Sequence, residues 1–177
     1  MAFMALKPPT PASLITASLT KKAVDTKRGV AYFSFTTSLV KTNLKGEVIG
    51  SVDGFIGHLG CLDISPEDGR IYASLEYKND NIGQGILKGL ESGPRLIGNE
   101  ESSFYIAIFD GEKIIRTGMN AEKDNVISTV YIKEVSDDYN ATVMNRDRPV
   151  EHRYGCSGID GIAFGPQFGQ KQGKDFQ

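Results

Sequence analysis

Two histidines are present, each in a linker: His58 in Gly57-His58-Leu59-Gly60, and His152 in Glu151-His152-Arg153-Tyr154-Gly155-Cys156. Asp160, in Ser157-Gly158-Ile159-Asp160-Gly161, stands 160 − 60 = 100 residues after Gly60, in a stretch of the same pattern. Two imidazoles and a carboxylate suit a borderline divalent ion such as zinc, manganese or iron, so His58, His152 and Asp160 form a candidate metal set. His58 alone, with an ordinary pKa near 6.5, also suits a general base. Arg153 would pair with an anionic group on a ligand. A plainer account makes these residues polar plugs of a wet channel, bonded to backbone at strand ends.

Other motifs are weaker. Glu76 and Asp80 could complete a metal shell, yet charged residues at a strand end are usually just solvated. Asn79-Asp80-Asn81-Ile82-Gly83 lacks the alternating acids of a calcium loop, and Leu90 stands at the twelfth position, where that loop needs Glu. In Gly83-Gln84-Gly85-Ile86-Leu87-Lys88-Gly89, Lys88 replaces the third glycine of a dinucleotide fingerprint. Ile82 to Leu90 reads instead as a short amphipathic helix. Gly155-Cys156-Ser157-Gly158 with His152 nearby is thin support for a cysteine hydrolase. Cys61 and Cys156 would need Cα atoms within about 7 Å to bridge, and buried free thiols are the simpler expectation. Ser136-Asp137-Asp138-Tyr139 reads as an exposed loop.

The elements that would position these residues show a repeat. Gly29-Val30-Ala31-Tyr32-Phe33-Ser34-Phe35 and Gly69-Arg70-Ile71-Tyr72-Ala73-Ser74-Leu75 share Gly, Tyr and Ser at an offset of 69 − 29 = 40 residues. Leu62-Asp63-Ile64-Ser65-Pro66 matches Ile162-Ala163-Phe164-Gly165-Pro166 in pattern. A period near 40 with several short strands per unit is the signature of a β-propeller blade, a four-stranded antiparallel sheet. The first unit predicts strands near 21–25, 29–35, 39–43 and 47–52. The second predicts strands near 61–65, 70–77 and 104–109, with Asp110-Gly111 turning the chain into a fourth at 113–115. A third unit begins near 161–164.

Ser65-Pro66-Glu67-Asp68-Gly69-Arg70-Ile71-Tyr72-Ala73-Ser74 resembles the strand–turn–strand of six- and seven-bladed propeller repeats of the YVTN, NHL and gluconolactonase-like kind. The likeness covers roughly 20–77, 104–116 and 158–166. It implies an all-β chain of four-stranded antiparallel blades, about two and a half of them, in an incomplete propeller: a fragment, or one share of a ring that several chains complete. Residues 1–17 would be an N-terminal extension and 18–177 the partial propeller. Within that, blade one is 18–52 and blade two 61–116 with an insertion at 78–103. A long linker covers 117–157, and blade three starts at 158–177. The rival fold is an α+β domain with a long meander.

The chain has 177 residues, 20 Lys+Arg against 22 Asp+Glu, a net charge of −2, 20 Gly and 2 Cys. Those numbers exclude a coiled coil, a disulfide mini-domain and a four-thiolate zinc site. Near-neutral charge argues against a general nucleic-acid binder, and no run is long and apolar enough to span a bilayer. The opening residues do not make a good secretory signal.

In a propeller, the long segments 78–103 and 117–157 would decorate one face, which places function there. The expected function is a binding module that captures a small polar ligand or a peptide through His58, His152, Arg153 and Asp160. Resemblance to gluconolactonase-like propellers implies the rival, a metal-dependent hydrolase or lyase using a divalent ion. A third reading is a protein–protein platform with no pocket chemistry; apart from that choice, open blade edges would allow self-association.

Overall fold

The computed structural model describes residues 19–55, 57–78, 83, 102–121, 123–152 and 158–165. A first antiparallel meander is built from β1 (Leu19–Asp25), β2 (Val30–Phe35), β3 (Ser38–Asn43) and β4 (Val48–Asp53). A second starts with β5 (His58–Ile64), β6 (Ile71–Tyr77) and β7 (Ser103–Phe109). The short β8 (Met119–Asn120) then adds to the first sheet, parallel to β4, and β9 (Ile127–Tyr131) closes the second sheet against β7. Helix α1 (Lys133–Asn140) follows, and β10 (Thr142–Asn145) and β11 (Arg148–Glu151) form a separate hairpin. No helix among the described residues is long and apolar enough to cross a membrane.

The offset of 40 is a repeat of register. Tyr32 pairs with Ala23, and Tyr72 with Asp63, in each case on the two first strands of a meander. Gly29 and Gly69, in the connections between those strands, both have φ of 69°, a left-handed conformation that favours glycine. Alternation puts Val30, Tyr32 and Ser34 on one face of β2, and that face meets the second sheet. There the Ser34 hydroxyl donates to the Gly60 carbonyl at 2.8 Å. Strands β1 and β5 lie side by side. One core is shared: Tyr32, Leu39 and Val52 from the first sheet pack with Leu59, Ile71, Ala73 and Phe109 from the second. Phe55, from the connection between sheets, sets its ring edge-on to Phe109.

Four expectations need correction. Residues 113–115 are not a strand, because Ile114 turns inward and is fully buried in the shared core. Lys41 of β3 holds that turn, donating from Nζ to the carbonyls of Gly111 (2.8 Å) and Ile114 (3.3 Å). The fourth strand of the second sheet is therefore β9. Residues 117–157 are no bare linker either, since they carry β8, β9, α1, β10 and β11. Ser136–Tyr139, read as an exposed loop, lies within α1, where Ser136 and Tyr139 are buried. Its hold is tertiary: the Ser136 hydroxyl accepts the Phe104 N–H (3.1 Å), and the Tyr139 and Phe104 rings meet at 5.0 Å.

The expected third unit is also not a strand over 158–165. The segment follows β5, accepting the Cys61 N–H at the Asp160 carbonyl (2.9 Å) and bonding its Phe164 N–H to the Asp63 carboxylate (2.8 Å). The Phe164 ring meets Tyr72 edge-on. Residues 1–17 and nearly all of 78–103, including the expected helix at 82–90 apart from Gly83, lie outside the described residues.

Lys41 supplies a test of the inter-sheet contact. Lys41→Met keeps most of the stem and removes both donated hydrogen bonds, so it should cost about 1–3 kcal/mol in urea unfolding. The exposed control Lys45→Met should stay within about 0.5 kcal/mol of the parent protein. Equal stability of the two variants would show that Lys41 does not join the sheets.

Candidate functional site

His58 opens β5 and pairs across the sheet with Glu76, near the end of β6. Paired residues place their side chains on one face. Alternation adds Tyr72 and Ser74 to that face, the one turned away from the first sheet. Glu76 is 6% exposed, and its carboxylate stands 3.0 Å from the ammonium of Lys78, two residues on. The expectation of a merely solvated Glu76 is thus overturned. Burial works against the Lys78 ammonium, but its hydrogen bond and attraction to Glu76 prevail and raise its pKa above the ordinary value. Ser74 Oγ, on the same face, is buried with no hydrogen-bond partner among the described residues.

The segment 158–165 passes over this face. A Cβ on Gly60 would collide with Ser74 Oγ and stand 2.7 Å from the Asp160 carbonyl oxygen, so only glycine lets the segment approach so closely. Asp160 itself is exposed. Its charge acts on both His58 and Lys78, which brings the three groups to one end of the second sheet. His58 is half-buried, and that burial lowers its pKa, against the pull of Asp160 and with the push of Lys78. The imidazole is therefore neutral at pH 7, with a donor and an acceptor to offer.

Of the residues expected to act together, the structure gathers His58 and Asp160. His152 is engaged elsewhere: its N–H donates to the Ala141 carbonyl (2.8 Å), and its Nδ1 lies 3.0 Å from both the carbonyl and the carboxylate of Asp138. Arg153 and Cys156 lie outside the described residues, as does Asp80. Cys61 carries a free, half-buried thiol. Among the described residues, no group of three His, Cys, Asp or Glu is placed to hold a metal ion, and His58, His152 and Asp160 do not make one. Glu76 and Lys78 were missed as partners, although the strand alternation Tyr72, Ser74, Glu76, Lys78 was the available signal.

No family model, curated protein or solved structure matches the chain.

The lowered pKa of His58 has a consequence for stability. Between the folded value and the unfolded value near 6.5, the unfolded chain binds more protons than the folded one. His58 should therefore make stability rise with pH through that window and fall as pH drops below about 6.5. Urea unfolding at pH 5 and pH 7 should show a smaller loss on acidification for His58→Gln than for the parent protein. An unchanged loss would mean that His58 is not desolvated in the fold.

Proposed function

We propose that the chain is a propeller-type module that captures a small polar ligand at the end of the second sheet. Its architecture supports the propeller reading in two ways. The first two strands of both sheets repeat one register at a 40-residue offset, and 158–165 meets the second sheet much as β5 meets the first. Ser34 on the first sheet donates to the Gly60 carbonyl, and Ser74 lies at the corresponding place, beside the path of Asp160.

One observation carries the ligand reading: a desolvated ion pair, Glu76 with Lys78, shares a face with a neutral His58 and a buried Ser74 hydroxyl. Buried pairs of this kind are weak contributors to stability, because desolvation consumes most of their attraction. Their use here is to fix donors and acceptors before the ligand arrives, which lowers the cost of ordering them on binding. Asp160, exposed at the rim, supplies a further acceptor. The ligand class is a small molecule rich in hydroxyl or amino groups.

The test is thermal unfolding with a panel of monosaccharides, polyols, amino acids and small diacids. A ligand at a hundredfold excess over its Kd should raise Tm by about 5–10 °C. His58→Gln and Asp160→Asn should each reduce that gain while leaving the circular dichroism of the free protein unchanged. No gain with any class, or a gain that survives both substitutions, would refute the proposed site.

A further inference from the structure

The opposite end of β5, about 20 Å from His58 at the usual strand rise, carries a second feature. A cleft of about 470 Å³ opens between the β1–β2 connection and the β5–β6 connection. It lies at the end with the short turns, where no function was expected. We infer that this cleft binds a small organic anion, a carboxylate or phosphate monoester head on an apolar body.

The volume falls within the range of small-ligand pockets, roughly 300–1,000 Å³. Ala23 and Leu62 in its lining are buried, Ile64 is half-buried, and Val24 is 51% exposed at its side. An apolar body would lie along Val24, Ile64 and the exposed edge of Leu62.

The choice of an anionic head follows from which polar groups are already engaged. Asp25 accepts the Arg28 N–H (3.0 Å) on one carboxylate oxygen and Arg28 Nη1 (2.9 Å) on the other. Asp63 accepts the N–H groups of Ile64 and Phe164, both at 2.8 Å, one on each oxygen. Arg28 is thereby paired and both carboxylates are occupied. Lys22 and Lys27 are exposed, and neither ammonium has a hydrogen bond or ion pair among the described residues. The one acid of the lining left without a described partner for its carboxylate is Glu67, on the β5–β6 connection. Free bonding capacity in the cleft is therefore cationic by two ammonium groups to one carboxylate.

Formal charges of the lining nonetheless cancel, with Lys22, Lys27 and Arg28 against Asp25, Asp63 and Glu67. A polyanion such as nucleic acid would meet no broad positive field. A single anionic head between two flexible ammonium groups fits the balance, since lysine binds carboxylate and phosphate as a mobile point charge.

Amide chemical shifts of the full chain, titrated with octanoate, octyl phosphate and octanol, decide the matter. One or both anions should move the amides of 22–28 and 62–69, with the tighter of the two identifying the preferred head group. Octanol should bind at least fivefold more weakly. Lys22→Gln with Lys27→Gln should weaken the anion at least fivefold, the size expected from losing two exposed charge contacts. Both side chains are exposed, so the fold should be kept, and circular dichroism verifies it. His58→Gln should leave this binding unchanged, which separates the cleft from the site at the other end of β5. The inference is overturned if neither anion moves those amides, if octanol binds within fivefold of the better anion, or if the double variant loses less than fivefold. Loss of binding in His58→Gln would overturn it as well.

Discussion

The close approach of β5 to the first sheet is the contact on which the rest depends. Gly60 is held between two serines that stand 74 − 34 = 40 residues apart. Its carbonyl accepts the Ser34 hydroxyl, and its bare Cα leaves room for Ser74 and the Asp160 backbone. Any side chain at position 60 would push these layers apart. Once they are together, Tyr32, Leu39 and Val52 can share a dry core with Leu59, Ile71 and Phe109, and dense packing of this kind is what opposes chain entropy. Lys41 and Phe55 then fasten the margins, one through two carbonyls and the other through an edge-on ring.

Both candidate binding regions follow from that geometry. With the apolar side of the second sheet committed to the shared core, its other side is left to carry His58, Ser74 and Glu76. Over that side the Asp160 backbone lies against Gly60, the Phe164 ring meets Tyr72, and Tyr139 of α1 meets Phe104. At the far end of β5 the two first strands end in turns of unlike composition, and the gap between them is the cleft. One strand thus presents a pre-ordered polar group at its start and an open, lysine-edged gap at its finish.

Much of the first sheet was legible because its information is local. Alternation in Val30–Phe35, the glycine before it and the Lys45-Gly46 turn place four strands within a residue or two of where they lie. The second sheet was legible only where the repeat held. Asp110-Gly111 is a good hairpin signal, but Ile114 gains more from the core than from a strand edge, so the chain leaves the sheet and returns at Ile127. Helix α1 was hidden for a related reason. Ser136-Asp137-Asp138-Tyr139 has little local preference for helix, and its hold on Phe104 comes from a segment some 30 residues earlier. That Asp160 comes near His58 could be read from their places in the repeat. Glu76 was misjudged because a charge at a strand end usually faces water, whereas here it is buried, paired across the sheet with His58 and joined to Lys78.

Native-state hydrogen exchange tests the shared core most directly, because it measures opening residue by residue. If the two sheets stand or fall together, the slowest amides of β2 and β3 and those of β5, β6 and β7 should exchange with one common free energy and one common urea dependence. Slow amides of the first sheet that open at a clearly lower free energy and with a shallower urea dependence than those of the second would contradict it, showing two independent sheets.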